Sequence, residues 1–223
     1  MHIIVVGAGR IGRHVIEFAT KEGHDVFVIE QDKKLAERIS KSFDCKVINE
    51  DATTGEALNQ AGAENADALI TTTHDDAVNM LVMLVAKELE IKTLITSVAE
   101  ESHMHLFDKM GVGTVESPDR LNAQHLYHAV KNPSVKNFLD LGEGVEIIEF
   151  KVKKSAKVTG MSIEELDKPK LLPEDARIVV IRRDENFIVP GHNTKLDEGD
   201  VVAVLARKEK IDQINALFEE QET

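Results

Sequence analysis

Six residues near the N-terminus have the types and spacing of a phosphate-binding loop. Residues Gly7–Gly12 read GAGRIG and fit the pattern GxGxxG. They follow an apolar run, Ile3–Val6, and open a segment with helical periodicity, which is the context that the motif requires. The first glycine permits a tight turn, the second lets phosphates approach the backbone, and the third lets helix and strand pack closely. Free N–H groups at the start of the helix would then face the phosphates.

A carboxylate downstream of this loop points to a nucleotide. Glu30 ends the next apolar run, 18 residues after Gly12. At that position a carboxylate accepts hydrogen bonds from ribose hydroxyls and would repel a 2′-phosphate. Loop and carboxylate together predict an adenosine nucleotide and argue against NADP. The alternative is a domain of the same shape that has lost its ligand.

Two charged residues beside the loop each have two interpretations. Arg10 can neutralise additional phosphate charge, of its own nucleotide or of one bound to a subunit opposite. Otherwise it is a solvated arginine at a helix start. Asp51, after the third predicted strand, is placed to meet an adenine edge. Otherwise it is the N-cap of a helix that begins near Thr54.

Polar residues also lie at and directly after the end of the fourth predicted strand. Thr72, Thr73 and Asp75 stand where an open α/β sheet binds its ligands, at the carboxyl ends of the strands. Asn79 lies one turn into the following helix. It is either part of the site or a buried structural residue.

The elements that would position these residues alternate between strands and helices. The predicted strands are His2–Val6, Val26–Ile29, Lys46–Ile48, Ala68–Thr72, Thr93–Thr96 and Thr114–Glu116. The predicted helices are Arg10–Glu22, Lys34–Ser42, Thr54–Ala61, Ala77–Leu89 and Ser102–Lys109. Six strands joined by five crossovers predict an α/β fold with a doubly wound, Rossmann-like parallel sheet.

The second half of the chain changes in character. A helical stretch from Pro118 to Ala129 is followed by an amphipathic piece, Val135–Leu141, which we interpret as a second helix. Beyond Gly144, short β-rich runs with a short helix and a terminal one predict a small α+β domain. The predicted domains are therefore residues 1–141 and 142–223.

Composition and charge exclude several classes of protein. The chain has 223 residues, of which 42% are hydrophobic, and its formal net charge is −13. An acidic protein without Trp is a poor match for nucleic acid, which selects basic and aromatic surfaces. The single cysteine, Cys45, cannot form an internal disulfide, and the nine histidines lack the spacing of a transition-metal site. We expect a cytoplasmic protein, because no apolar run approaches the ~20 residues of a membrane span and the N-terminus has no basic leader.

The sequence resembles the TrkA/KtrA family, the cytosolic RCK (regulator of K⁺ conductance) subunits of potassium transporters and channels. In the first half, the residues that carry the resemblance are GAGRIG at 7–12, Glu30, EDAT at 50–53, TTTHDDAVNMLV at 71–82 and GVGTVESPDRL at 111–121. In the second half they are Val158–Gly160, Ile163–Leu166, Ile178–Arg183, Pro190 and Leu196–Asp200. The resemblance covers essentially the whole chain and has two modules in the expected order.

This resemblance implies a regulatory subunit and not a catalyst. Family members form dimers that assemble into tetrameric or octameric rings beneath a K⁺-conducting membrane subunit of the TrkH/KtrB type or a channel pore. Exchange of ATP for ADP, or of NADH for NAD⁺, changes the ring and gates conduction. The resemblance places the chain at the inner face of the membrane, with residues 1–141 as the RCK-N domain and 142–223 as the RCK-C domain. Pro118–Leu141 would supply the crossover and dimerising helices.

Several positions refine the expected ligands. Arg10 matches the ATP/ADP-responsive branch, with NAD(H) as the alternative. Ser97 stands where many members carry a basic residue that reaches phosphate, and Asp119 replaces a glutamate that can help to bind Mg²⁺ or another cation. Cyclic di-AMP is a further possible ligand, at the C-terminal domain. The predicted nucleotide-binding residues are Gly7, Ala8, Gly9, Arg10, Ile11, Gly12, Glu30, Gln31, Asp51, Ala52, Thr72, Thr73, Asp75 and Ser97, with Asp119 as a metal contact.

Two other classes of function are left open. An NAD-dependent oxidoreductase with a small substrate domain would need a proton-transfer residue that faces the nicotinamide. The last 80 or so residues contain a single histidine, His192, in a turn-like segment, which argues against that class. A ligand-free oligomeric scaffold is the other alternative.

Overall fold

The computed structural model describes residues 1–131, 135–167 and 171–219. Their contacts divide the chain into two compact units, Met1–Leu121 and Asn122–Thr223. Each unit contains its own sheet and its own buried apolar clusters. The two units are therefore described separately.

The first unit alternates strands and helices, as its sequence predicts. Its strands are β1 (His2–Val6), β2 (Asp25–Ile29), β3 (Lys46–Ile48), β4 (Ala68–Thr71), β5 (Thr93–Ser97) and β6 (Thr114–Glu116). Its helices are α1 (Arg10–Lys21), α2 (Lys33–Ser42), α3 (Glu56–Gln60), α4 (Asp76–Glu88) and α5 (Met104–Lys109). All neighbouring strands are parallel, in the order β3-β2-β1-β4-β5-β6, which confirms the Rossmann-like sheet.

The sheet of this unit is buried on both faces. Successive side chains of a strand point to opposite faces. In β1, Ile4 and Val6 belong to an apolar cluster with α4 and α5, whereas Ile3 and Val5 belong to a cluster with α1 and α2. This two-sided burial explains why β1 reads as a continuous apolar run, as strands of parallel sheets do.

Two predicted helices of this unit are each divided into a 3₁₀ turn and a short α-helix. Over Ser102–Lys109 these are the turn Glu101–His103 and α5. In place of a helix over Thr54–Ala61, the chain forms a 3₁₀ turn, Ala52–Thr54, followed by α3. Gly55 lies between them with φ +70°, a left-handed conformation that glycine adopts without steric cost.

A longer helix, α6, spans Pro118–Lys131, which confirms the helical stretch expected after the first sheet. It exposes several apolar side chains, namely Leu121, Leu126, Tyr127 and Val130.

The second unit is built on an antiparallel sheet. Its strands are β7 (Val135–Gly142), β8 (Val145–Lys151), β9 (Arg177–Arg183), β10 (Asn186–Ile188) and β11 (Val201–Arg207), in the order β10-β9-β11-β8-β7. Its helices are α7 (Ile163–Leu166) and α8 (Ile211–Phe218). Apolar side chains of the sheet and of α8 form its core, in which Phe150 stacks on Phe218 with ring centroids 4.9 Å apart. The predicted small α+β domain is confirmed.

The helix predicted over Val135–Leu141 is wrong, because this segment is strand β7. It pairs antiparallel with β8, and Gly142, Glu143 and Gly144 turn the chain between the two strands with positive φ angles. The division between the compact units falls after Leu121, within α6, and the domains expected from the sequence, residues 1–141 and 142–223, stay a prediction.

Candidate functional site

The carboxyl ends of the central parallel strands border a cleft of about 720 Å³ in the first unit. This volume lies in the range of small-molecule sites, about 300–1,000 Å³. Of the predicted site residues, Ala8 and Gly12 do not line the cleft and the others do: Gly7, Gly9, Arg10, Ile11, Glu30, Gln31, Asp51, Ala52, Thr72, Thr73, Asp75, Ser97 and Asp119. The fold thus gathers residues from separate parts of the sequence. That any of them binds a nucleotide is still a prediction.

The three glycines of the loop differ in how much room the fold leaves for a side chain. Gly7 has φ +87°, and a Cβ there would lie 3.1 Å from the side chain of Thr73. A Cβ at Gly12 would lie only 2.0 Å from the carbonyl oxygen of Gly7, so no side chain fits. A Cβ at Gly9 would meet no atom within 4 Å. Gly7 and Gly12 are therefore required by the fold, whereas Gly9 leaves open space on the cleft.

The start of helix α1 is suited to an anion. Its N-cap residue, Gly9, supplies no side-chain hydrogen bond, and none of the described residues of the first turn is acidic. The N–H groups of that turn therefore receive no cap from Gly9, and they lie at the positive end of the helix dipole. Arg10, the first helical residue, is exposed and lines the cleft. A cation is unfavourable at a helix N-terminus, and an anionic ligand would reverse that effect.

The Glu30 carboxylate connects the end of β2 with the glycine loop. Its Oε2 atom accepts a hydrogen bond from the backbone N–H of Ala8 at 2.7 Å, and its Oε1 atom accepts one from the N–H of Asp32 at 2.9 Å. Ala8 is buried and does not line the cleft, but its backbone N–H holds the Glu30 carboxylate in place. The carboxylate borders the cleft as an acceptor, which is the chemistry that ribose hydroxyls require.

Asp51 has the capping role that the sequence left as an alternative. Its Oδ1 atom accepts hydrogen bonds from the backbone N–H of Thr53 at 2.9 Å and from the Thr53 hydroxyl at 2.7 Å. These two bonds lower the pKa of the Asp51 carboxyl below its ordinary value. The structure therefore shows Asp51 as the cap of the Ala52–Thr54 turn, and its predicted contact with adenine stays a prediction.

The residues after β4 hold the glycine loop and the neighbouring strand ends. The Thr72 hydroxyl donates to the carbonyl of Gly7 at 2.8 Å. Asn79 is fully buried; its Oδ1 atom accepts from the Thr73 hydroxyl at 2.7 Å, and its amide donates to the carbonyls of Thr73 and Ser97 at 3.1 Å. Asp75 caps helix α4 by accepting from the N–H of Ala77 at 2.9 Å. These side chains support the wall of the cleft.

Sequence reasoning missed Asp76, which is nearly buried behind the cleft. Its carboxylate accepts from the N–H groups of Ala99 and Glu100 at 2.8 and 3.0 Å and contacts His103 Nδ1 at 2.8 Å. Burial alone would raise the pKa of Asp76, but the hydrogen bonds from Ala99, His103 and Glu100 outweigh it and the pKa is lowered. Ala99 lines the cleft, so Asp76 fixes the wall that follows β5.

The charges around the cleft are predominantly negative. Among the described residues that line it, Arg10 is the one Lys or Arg, whereas the acidic ones are Glu30, Asp32, Glu50, Asp51, Asp75 and Asp119.

Within residues 1–131, 135–167 and 171–219, no three His, Cys, Asp or Glu side chains are placed to hold a metal ion. In the same part of the chain, no helix combines the length and apolarity of a membrane span.

Comparison with known proteins places the whole chain in one family. Residues 3–118 match the TrkA-N domain and residues 147–219 match the TrkA-C domain. The Trk system potassium uptake protein TrkA homolog of Pyrococcus abyssi is 31% identical over 99% of both chains. The protein of the same name from Methanothermobacter thermautotrophicus is 29% identical over 98% of this chain and 99% of its own.

Solved structures show the same fold at lower identity. A GsuK channel bound to NAD aligns with a TM-score of 0.68 and 20% identity, over 99% of this chain and 40% of the channel chain. The GsuK RCK domain aligns with a TM-score of 0.66 and 19% identity, over 99% of this chain and 48% of that chain. The matches to the TrkA-N and TrkA-C domains and the relative at 31% identity confirm the resemblance seen in the sequence, and the chain belongs to the TrkA family.

Proposed function

We propose that this chain is a nucleotide-sensing regulatory subunit that controls K⁺ conduction by a membrane partner. The observation that carries the proposal is the cleft, where the uncapped start of α1, the open space at Gly9 and the Glu30 carboxylate lie at one edge of the sheet. The names of the relatives, Trk system potassium uptake proteins, support the link to K⁺ transport. One structural neighbour is a channel bound to NAD, which supports the link to a nucleotide.

Two features of the cleft favour different nucleotides. Arg10 favours the ATP/ADP pair, because a guanidinium can neutralise an additional phosphate. The carboxylates around the cleft favour NAD(H), which carries less negative charge than ATP. A GsuK structure bound to ADP and one bound to NAD support either ligand. We propose ATP/ADP as the primary ligands, with Mg²⁺ or another cation near Asp119 to offset the carboxylates.

The proposed control requires that a nucleotide distinguish two states of the assembly. A ligand shifts an equilibrium only by the difference between its affinities for the two states, typically about 1–3 kcal/mol. An additional phosphate that reaches Arg10 in one state and not in the other would supply such a difference. ATP and ADP would then favour different states although they share the adenosine contacts.

The polar side chains near the cleft support a regulator more than an enzyme. Thr72, Asn79 and Asp75 hold backbone or cap a helix, and Asp76 holds the segment after β5. These four side chains therefore have structural roles, which agrees with a regulator. Absence of NADH turnover with every substrate tested would agree with this assignment.

The remaining parts of the proposal concern partners and location. We propose that the chain is cytoplasmic and works at the inner face of the membrane, below a K⁺-conducting subunit. Self-association is supported by the apolar side chains that α6 exposes, Leu126, Tyr127 and Val130 among them. A ring of four or eight copies, and binding of cyclic di-AMP by the C-terminal domain, are parts of the same proposal.

The test is calorimetric titration of the purified protein with ATP, ADP, AMP, NAD⁺, NADH and cyclic di-AMP at fixed salt and Mg²⁺. Light scattering with each ligand would report the size of the assembly. We expect tight binding of ATP and ADP, with different sizes or shapes for the two complexes. Preference for NADH would indicate a redox-sensing subunit. If none of these compounds bound, a ligand-free scaffold would replace the proposed function.

A further inference from the structure

Asn49, the residue directly after β3, uses its side chain to hold the backbone that follows β2. Its amide nitrogen donates to the carbonyl of Glu30 at 2.7 Å and to the carbonyl of Gln31 at 2.9 Å. Both hydrogens of the amide are thereby directed at the turn that follows β2. Asn49 is not among the residues that line the cleft.

The peptide unit between Gln31 and Asp32 is held at both of its ends. Its carbonyl, on Gln31, accepts from Asn49, and its N–H, on Asp32, donates to Glu30 Oε1 at 2.9 Å. Rotation of this peptide would break both bonds. The orientation of the Glu30 carboxylate is therefore coupled to Asn49 through one rigid planar group.

The other oxygen of the same carboxylate reaches the glycine loop. Glu30 Oε2 accepts from the N–H of Ala8 at 2.7 Å, so both of its oxygens are used by backbone. Each carboxylate oxygen has two lone pairs, which leaves acceptor capacity towards the cleft that Glu30 lines. A ribose hydroxyl can use that capacity only while the carboxylate keeps this orientation.

We infer that Asn49 is a positioning residue for ribose recognition, and that it sets the preference for a 2′-hydroxyl through the Glu30 turn. The inference rests on the proposed nucleotide site. It identifies the residue that follows β3 as a determinant of which sugar the site accepts, although that residue does not line the cleft. Asn49 holds the backbone that follows β2, whereas Thr72 and Asn79 hold the backbone of Gly7 and Ser97.

The experiment compares ADP with 2′-deoxy-ADP by calorimetry in the full chain. A hydrogen bond from a hydroxyl to a charged group corresponds to about tenfold or more in affinity. We expect the wild type to bind ADP about tenfold more tightly than 2′-deoxy-ADP. Asn49→Ala, and Asn49→Asp with the same shape but no donor, should reduce that ratio to about threefold or less, mainly by weakening ADP.

The matched control is Asn65→Ala, since Asn65 also lies in the first unit and its side chain donates to a neighbouring carboxylate, that of Glu64. It should keep the wild-type ratio. Thermal unfolding would verify that all variants are folded. A general loss of structure would weaken both ligands equally, and an unchanged ratio in the Asn49 variants would overturn the inference. Equal binding of the two ligands by the wild type would also overturn it, whereas failure of the wild type to bind either would overturn the proposed function instead.

Discussion

Substitutions at Gly9 should change nucleotide affinity without lowering the stability of the fold. The Gly9 backbone is extended, with φ −64° and ψ −155°, and an added Cβ would meet no atom within 4 Å. Gly9→Ala should therefore leave the free energy of unfolding unchanged or raise it by up to about 1 kcal/mol, because alanine restricts the unfolded chain. The methyl group would nevertheless stand in the space through which phosphates approach α1.

The expected loss of affinity follows from the contacts that phosphates would make. Displacing a phosphate from one N–H at the start of α1 removes a hydrogen bond to a charged group, about 1.5–3 kcal/mol, so Gly9→Ala should weaken binding about 10- to 100-fold. Gly9→Asp adds a negative charge. At about 4 Å from a phosphate and an effective dielectric constant of about 20, repulsion costs about 4 kcal/mol, a further factor of about 1,000.

The assay is calorimetric titration with ADP and ATP, together with thermal unfolding of the same samples. Gly191→Ala is the matched control, since a Cβ there would have its nearest neighbour at 4.0 Å, the Thr194 hydroxyl, and Gly191 lies outside the cleft. It should leave the affinity for both nucleotides unchanged, and it should leave the free energy of unfolding unchanged or raise it by up to about 1 kcal/mol, as Gly9→Ala does. Undiminished affinity of Gly9→Asp would refute the assignment of the phosphate site.

Four further substitutions probe the loop, the charge beside it, a helix end and a buried carboxylate. Gly12→Ala should lower the free energy of unfolding by about 1–3 kcal/mol or more, since its Cβ would overlap the carbonyl of Gly7, and denaturant titration that found no loss would contradict the loop geometry. Arg10→Ala should weaken ATP more than ADP in calorimetry, and equal losses would remove its proposed role. Glu90→Gly should raise stability by about 0.5–1 kcal/mol, because Glu90 follows α4 with φ +59°, and thermal unfolding would measure the gain. Asp76→Asn should make the free energy of unfolding fall less steeply at acidic pH. The lowered pKa of Asp76 stabilises the fold fully at pH values above the ordinary pKa of 3.8, and this stabilisation is lost as the pH falls through the lowered pKa. Equal acid limbs in the variant and the wild type would contradict that assignment.

Much of the first unit could be predicted from the sequence because its signals are local. An apolar run, a glycine loop and an amphipathic segment specify β1 and α1 with little help from the rest of the chain. Glu30 was placed correctly at the end of β2 because the spacing between the glycine loop and this strand end is characteristic of the fold. Thr72 and Thr73 could be predicted from their positions at the end of a strand, whereas Ser97 was predicted only through the family resemblance.

The errors arose where tertiary pairing overrides periodicity. In β7, Val135, Phe138, Leu139 and Leu141 have spacing that suits a helix, but the segment pairs with β8. The Gly-Glu-Gly turn at 142–144 between two apolar runs is the hairpin signal that could have identified it. Asp76 could not be distinguished from Asp75 by sequence, because only the fold brings the backbone of Ala99 to its carboxylate.

The crowding at Gly7 and Gly12, and the open space at Gly9, have a consequence for how such domains diverge. A descendant that no longer used a nucleotide would still need glycine at the first and third positions, since steric exclusion there acts on folding itself. Only the middle glycine would be released to drift. Among the three glycines of this loop, selection for the ligand can be distinguished from selection for the fold at Gly9.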